Sequence, residues 1–263
     1  MKKFALSRLS LPLFALLLFA RPGVAQELIT DRPDQTESAV TVPPGRVQAE
    51  LGWTHSEDEE RGADLELDEV AGTLVRIGLA RRLELRLGWD GHLDGSLNGA
   101  DFDGSGDGEV GVKYVLQEGS EAGLRIALLV SSTVPIGEDA VTSDAFDPSF
   151  RLLLAQDLSE RVSLGWNVGI EWESVEGDRL SRAIYTLALG LALTDRWGAF
   201  VEIFGDVPLS DGDPDRDGTA SLDGGLTCLL RNNLQLDLAA GFGLNDEAPD
   251  WFVGVGVSFR LPG

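Results

Sequence analysis

The sequence predicts an all-β fold, an antiparallel up-and-down β-barrel of twelve strands that spans a membrane after a cleaved signal peptide. Three observations predict it. Apolar and polar residues alternate over long segments, short and long connections alternate between them, and a signal-like stretch begins the chain. Alternation alone also fits a soluble sandwich or a lipocalin-like barrel, because a protein core or lipid could equally cover the apolar face.

The first 25 residues have the three parts of a secretory signal peptide. Lys2, Lys3 and Arg8 form a basic start, an apolar run follows, and small residues end at Ala25. The run is shorter than the about 20 apolar residues of a membrane-spanning helix, and no later stretch approaches that length. The sequence therefore predicts an exported protein that begins at Gln26.

The composition excludes several classes of protein. The formal net charge is −23, whereas a nucleic-acid-binding protein needs a basic surface. Hydrophobic residues make up 43% of the chain and are patterned, which argues against disorder. The single cysteine, Cys228, excludes an internal disulfide framework, so the exported chain must gain its stability elsewhere.

Twelve segments alternate strictly, and each places apolar side chains on one face of a strand and polar side chains on the other. In the segment that follows Arg82, for example, leucines and Trp89 share one face while Glu84, Arg86 and Asp90 share the opposite face. The segments cover about 46–56, 66–79, 83–94, 106–117, 122–134, 147–157, 161–173, 179–193, 197–208, 218–230, 233–244 and 250–261.

Five very short connections alternate with six longer ones that are acidic or glycine-rich. The short ones lie around 81–82, 119–121, 159–160, 194–196 and 231–232, and the longer ones at 57–65, 95–105, 135–146, 174–178, 209–217 and 245–249. Soluble strands usually have about five or six residues, whereas a tilted membrane strand needs about 9–11. Short turns at one end and long loops at the other are typical of an outer-membrane barrel.

This architecture predicts a protein of the Gram-negative outer membrane. An even number of strands returns both termini to the periplasm. Its partners would be membrane lipid, lipopolysaccharide, the barrel-assembly machinery and a small-molecule solute, with no nucleic acid. The sequence carries no signal for an oligomeric interface, so the oligomeric state stays open.

The segment from Thr30 to Trp53, "TDRPDQTESAVTVPPGRVQAELGW", resembles the opening of the outer-membrane family named for the MetA pathway of phenol degradation. The shared features are Thr30-Asp31-Arg32-Pro33, Thr36-x-Ser38, Val42-Pro43-Pro44-Gly45 and Gln48-x-Glu50. The resemblance implies an outer-membrane barrel of a "transporter" family with a proposed role in passing small compounds, aromatic ones among the candidates. The chain departs from such barrels at its end, because it continues beyond Phe259 for four residues.

The segment 26–45 precedes the barrel segment 46–263 and carries Asp31, Arg32, Asp34 and Glu37. One interpretation is a plug or inner gate in the lumen, where these charges meet charged residues of the wall. The alternative is a periplasmic tail that positions the first strand, because termini are usually loose unless they are tied down.

The polar face of the strands supplies candidate lumen-facing residues in which acids outnumber bases. They are Glu50, Glu84, Arg86, Asp90, Lys113, Arg125, Arg151, Glu171, Glu202, Asp206 and Asp237. An acidic lumen within low-dielectric walls favours passive diffusion of cations or neutral solutes. The alternative is a structural or adhesive barrel whose lumen is filled by salt bridges, because twelve strands lie between filled and open barrels.

Two acidic, glycine-containing stretches resemble calcium loops, because a hard cation prefers alternating carboxylates. The candidate ligands are Asp101, Asp103, Asp107, Asp213, Asp215 and Asp217. The twelfth loop positions hold Val112 and Gly224 rather than a bidentate glutamate, so solvated turns are favoured over weak divalent-ion binding. No other cofactor is implied.

An enzyme is the least favoured class. The chain has two histidines, and by parity only His92 points toward the lumen. With the nearby Ser96 or Asp94 it is the one candidate for a hydrolytic site. Local spacing of this kind is not a catalytic triad, so the sequence predicts no enzymatic activity.

Overall fold

The structure is a computed structural model that describes residues 28–59, 64–119, 123–175, 178–210 and 218–262. The predicted signal peptide lies outside the described residues. No helix in the described part of the chain has the length and apolar character that a membrane span requires.

Antiparallel β-strands make up nearly all of the regular structure described. They are β1 (Val47–Asp58), β2 (Leu65–Ala80), β3 (Leu83–Trp89), β4 (His92–Leu97), β5 (Ala100–Ser105), β6 (Gly108–Gln117), β7 (Arg125–Val134), β8 (Pro148–Asp157), β9 (Val162–Val175), β10 (Asp178–Ala192), β11 (Trp197–Pro208), β12 (Ala220–Arg231), β13 (Leu234–Gly243) and β14 (Trp251–Leu261).

These segments form a closed barrel with twelve strands in its wall. β3 and β4 both pair with β2 and continue one another, and β5 and β6 form the next interrupted strand in the same way. β1 pairs with β14 as well as with β2, which closes the sheet. The prediction of a twelve-stranded antiparallel barrel is confirmed, and its strand positions agree closely with the alternating segments.

Two of the six predicted long connections are shorter than predicted, because strands occupy most of their residues. The segment 95–105 contributes to the β4–β5 hairpin, whose turn is made by Asn98 and Gly99, both with positive φ. Such a turn matches the twist of a hairpin. The segment 174–178 lies largely within the ends of β9 and β10. Aspartate and glycine in the segment 95–105 favour a loop by composition, whereas most of its backbone pairs as strands.

The two ends of the barrel differ, as the remaining connections predict. One end, which we call the short-turn end, carries connections such as Arg81–Arg82 between β2 and β3. The other, which we call the long-loop end, carries the connections after β1, β7, β11 and β13 as well as the Asn98–Gly99 turn. The chain enters β1 and leaves β14 at the short-turn end.

The barrel has an apolar exterior and a polar interior. Large apolar side chains such as Leu87, Leu128, Leu187 and Leu236 point outward and are exposed in the isolated chain. Charged side chains on the alternate positions are buried, and this inverts the arrangement of a soluble protein. A lipid environment provides the missing cover for the apolar face.

One part of the interior is apolar, which the strict alternation did not predict. Val115, Ala127, Leu129 and Leu153 point inward from β6, β7 and β8, and all are buried around Ala39. This patch gives the chain before β1 an apolar surface on which to pack.

Candidate functional site

The residues Leu28–Gly45, which we call the lumenal segment, lie inside the barrel. The wall carboxylates hold its backbone by accepting hydrogen bonds from its N–H groups. Glu50 Oε2 accepts from Asp31 N at 2.9 Å and from Arg32 N at 3.0 Å. The N–H of Gln35 donates to Glu202 Oε2 and the N–H of Val42 donates to Glu84 Oε2, both at 2.7 Å. The segment is therefore anchored to both sides of the barrel.

Asp31 lies at the centre of a buried ionic cluster. Its Oδ2 is 3.1 Å from Arg76 Nη1 and 2.8 Å from Lys113 Nζ, and it also contacts Arg86. Arg76 and Lys113 have no exposed surface, and Arg86 is 1% exposed. The cluster as a whole consists of Asp31, Glu37, Glu50, Arg76, Glu84, Arg86 and Lys113. Burying charges this deeply carries a large desolvation cost, which their mutual pairing offsets.

Glu37 joins the cluster to the opposite side of the lumenal segment. Its carboxylate lies 2.6 Å from Arg86 Nη2 and 3.4 Å from Lys113 Nζ. Its backbone N–H donates to Asn167 Oδ1 at 2.7 Å, and its carbonyl accepts from Asn167 Nδ2 at 3.1 Å. Burial raises the pKa of Glu37 to about 7, and Asp31 contributes to that rise while Arg86 and Lys113 oppose it.

Asp31 and Asp34 have opposite electrostatic environments although they are three residues apart. Burial would raise the pKa of Asp31, yet Arg76, Lys113 and Arg86 together hold it well below its usual range. Burial and the neighbouring Glu202 raise the pKa of Asp34 well above its usual range. The lumen is therefore strongly asymmetric around the lumenal segment.

Arg32 extends from the lumenal segment to the wall beside β1 and β14. Its Nη2 donates to Asp237 Oδ1 and to the Val255 carbonyl, both at 3.3 Å. The guanidinium lies over Gly52 and Gly256, which face each other across the two strands. A Cβ on Gly52 would lie 2.3 Å from Arg32 Cζ, so the absence of a side chain there makes room for the arginine.

The remaining lumen candidates pair mainly with neighbours on the wall. Arg125 forms a two-pronged ion pair with Asp157, with both N–O distances at 2.7 Å. Arg151 lies 3.2 Å from Glu171. Asp206 lies 3.7 Å from an Arg182 nitrogen. Asp90 is exposed at the break between β3 and β4.

Several polar residues that contact the lumenal segment were missed by the sequence interpretation. Arg76 binds Asp31, Glu50 and Glu84, although it was not among the predicted lumen residues. Its position between Val75 and Ile77 places it on the polar face of β2, so the alternation contained the signal. Asn167, which hydrogen-bonds to Glu37, and Thr186, whose hydroxyl is 2.6 Å from that of Thr36, carry no such charge signal, because uncharged residues are common on polar faces.

The candidate metal ligands do not come together in the described part of the chain. Asp101 and Asp103 belong to β5, whereas Asp213, Asp215 and Asp217 lie outside the described residues. Asp107 accepts hydrogen bonds from Gly137 N, Thr142 Oγ1 and both Ser143 N and Oγ, at 2.8–2.9 Å. Across the described residues, no three His, Cys, Asp or Glu side chains are placed to hold a metal ion.

The two histidines lie at or near the long-loop end. His55 points outward between Trp53 and Trp251, with ring centroids 6.2 and 5.2 Å away. Its Nδ1 is 3.3 Å from Asp68. His92 begins β4 and is exposed. Among the described residues, neither histidine forms a hydrogen bond with a serine hydroxyl.

A closed barrel with an apolar exterior and a charged, partly filled interior defines the class of outer-membrane β-barrel proteins. The model of the family described as "Putative MetA-pathway of phenol degradation" matches residues 30–261, and the chain belongs to this family. The resemblance carried by Thr30–Trp53 is therefore confirmed.

Solved structures show the same fold at low sequence identity. The COG4313 outer membrane channel from Pseudomonas putida F1 has a TM-score of 0.68 and 15% identity, covering 85% of this chain and 98% of that chain. The NanC porin has a TM-score of 0.55 and 11% identity, covering 82% and 100%. The translocator domain of autotransporter NalP from Neisseria meningitidis has a TM-score of 0.52 and 12% identity, covering 82% and 88%. Among curated proteins, no sequence matches this chain.

Proposed function

We propose that the protein is an outer-membrane channel through which small solutes diffuse passively, with the lumenal segment as a plug that narrows the path. The observation that carries this proposal is the uneven filling of the lumen. On one side, the buried cations Arg76, Arg86 and Lys113 are paired with acids. On the other side, Asp223 Oδ1 and Asp237 Oδ2 are buried without a hydrogen-bond partner among the described residues.

This asymmetry supports a path along the acidic wall that prefers cations and neutral solutes. Carboxylates in a cleft with low-dielectric walls concentrate their field and exclude anions. The family description refers to phenol degradation, and the similar structures include an outer membrane channel and a porin. These names support a small organic solute as cargo and a role without catalysis.

We further propose that both termini face the periplasm and that the long-loop end faces outward. Short periplasmic turns and longer external loops are usual for barrels of this class. The exterior would then contact membrane lipid, with lipopolysaccharide around the aromatic residues of the long-loop end. Insertion would depend on the barrel-assembly machinery.

Conductance in planar bilayers tests the proposal. The wild-type protein should give a small current in KCl, and a salt gradient should give a reversal potential of the sign expected for cation selectivity. A variant that lacks residues 28–42 should conduct more, because the anchored segment no longer occupies the lumen. The Asp103→Asn variant, altered on the β4–β5 hairpin, is a matched control and should behave as the wild type.

Three results would each contradict one part of the proposal. Absence of current from wild type and deletion variant alike would favour a structural or adhesive barrel, for which the tightly filled ionic cluster is the supporting observation. Anion selectivity would contradict the acidic path. Hydrolysis of lipase or protease substrates by purified protein would contradict the assignment to a non-catalytic class.

A further inference from the structure

Three phenylalanines project into the lumen from the acidic side of the wall. Phe200 and Phe204 alternate with outward-facing residues of β11, and Phe252 occupies the equivalent inward position on β14. Phe204 and Phe252 form an edge-on pair with ring centroids 6.0 Å apart and an interplanar angle of 64°. The ring pair lies on the lumenal side of β12 and β13, near the long-loop end.

The wall beneath these rings is shaped to receive them. A Cβ on Gly241 would lie 2.3 Å from Phe252 Cζ, and a Cβ on Gly225 would lie 2.5 Å from Phe200 Cε1. The same Cβ on Gly241 would also lie only 2.5 Å from Asp223 Cβ. The Phe252 ring therefore packs against the Asp223 side chain over this glycine. An aromatic ring and a carboxylate are therefore immediate neighbours in the lumen.

Asp223 is a buried acid without a cation. It is 4% exposed, and its Oδ1 has no hydrogen-bond partner among the described residues. It is paired with Glu202 across β11 and β12. Asp34 of the lumenal segment lies close enough to both acids for their charges to raise its pKa. In the part of the chain that the structure describes, no lysine or arginine forms an ion pair with any of these three acids.

We infer that Asp223 and the Phe204–Phe252 pair form a binding subsite for an organic ammonium ion with an aromatic or alkyl body. The ammonium group would donate hydrogen bonds to the unpartnered Asp223 oxygen and lie near a ring face, where a cation is attracted by the ring quadrupole. The apolar body would contact the second ring. This inference rests on the proposed channel function and names the cargo for which its acidic side is suited.

Two other ligands fit less well. A metal ion would need several carboxylate ligands, and no such group occurs among the described residues. A neutral aromatic compound would use the rings but leave the buried carboxylate unpaired, which is unfavourable.

Calorimetric titration of the detergent-solubilised protein with phenethylammonium chloride tests the subsite, with 2-phenylethanol and ethylammonium as matched probes. Phenethylammonium should bind at least about tenfold more tightly than either probe, because only it offers both the charge and the ring. Asp223→Asn and Phe252→Leu should each weaken its binding by about tenfold or more. Asp103→Asn and Phe150→Leu, altered outside the lumen, are matched controls and should not.

Equal binding of phenethylammonium and 2-phenylethanol, or unchanged binding by Asp223→Asn, would overturn the inference. Folding of each variant is checked by its mobility on an unboiled SDS gel, and Phe204→Leu replaces Phe252→Leu if that variant does not fold. Current in KCl without phenethylammonium binding would reject the subsite and retain the channel. Binding without current from wild type or deletion variant would reject the channel and retain the subsite.

Discussion

Asp31 brings one carboxylate to cations from three different strands, β2, β3 and β6. Asp31→Asn keeps the shape and removes the charge, so we expect a loss of about 3 kcal/mol in the free energy of unfolding. That is the low end for breaking a buried ion pair, because Glu37 remains to neutralise Arg86 and Lys113. Urea unfolding in detergent micelles measures the loss, and limited proteolysis of the lumenal segment should become faster.

The control for this variant is Asp34→Asn, which removes a charge of the same sign from the same segment. If both substitutions destabilise the protein equally, the difference between the two environments is not as described.

Asp34 also predicts a dependence of stability on pH. Its folded-state pKa is raised by burial and by Glu202, so keeping it charged in the folded protein costs free energy. The cost is absent below the unfolded pKa of about 3.9 and grows as the pH rises toward the folded value. Asp34→Asn should therefore be as stable as the wild type near pH 3 and more stable at pH 7. A difference that stays constant between these pH values would contradict the assignment.

Residue by residue, sequence parity predicts which side chains face inward but not what they contact. Sequence parity predicts that Arg86 and Lys113 lie in the lumen because they alternate with apolar neighbours. Their common partner Asp31 lies 55 and 82 residues away along the chain, so only the closed barrel brings them together. The inward-facing Leu129 and Leu153 break the alternation rule, because part of the lumenal segment is itself apolar.

At the level of the elements, the interruption of two wall strands is the clearest irregularity. Gly91 lies between β3 and β4 with φ of 87°, and a Cβ there would lie 2.4 Å from the Val70 carbonyl oxygen. Gly91→Ala should therefore lower the free energy of unfolding by more than about 2 kcal/mol, from backbone strain and a clash together.

Gly99→Ala separates the two contributions. Gly99 has φ of 75° at the tip of the β4–β5 hairpin, and a Cβ there would meet nothing within 4 Å. Only the backbone strain applies, so the expected loss is about 1 kcal/mol. Urea unfolding of both variants under identical conditions gives the comparison, and a loss from Gly91→Ala no larger than that from Gly99→Ala would contradict the clash.

The strand ends were predictable to within a few residues where alternation was strict, as in β9 and β11. The β4–β5 hairpin was not, because its Asp- and Gly-rich sequence matches the composition of a loop. Whether such a stretch pairs depends on its neighbour β2, which is long enough to support both β3 and β4.

For the whole molecule, the inverted arrangement of polar and apolar residues predicts that the free-energy cost of a charge on the outward face depends on its depth in the membrane. Leu187 points outward near the middle of β10, whereas Leu209 lies just beyond β11 at the long-loop end. Leu187→Arg should cost about 2–4 kcal/mol in the free energy of unfolding from lipid bilayers, and Leu209→Arg about 0–1 kcal/mol.

Unfolding from vesicles with guanidinium measures both values. Equal costs for the two variants would mean that lipid does not surround the middle of the wall.

The pairing of β1 with β14 closes the described wall, and apart from β5, which pairs only with β4 at the long-loop end, each of its strands pairs on both sides. A second polypeptide therefore cannot add to the body of this sheet by backbone hydrogen bonding, which is the usual route to edge-to-edge association. Any assembly of copies side by side in the bilayer must rely on contacts between outward side chains. These contacts compete with lipid acyl chains, which are equally apolar.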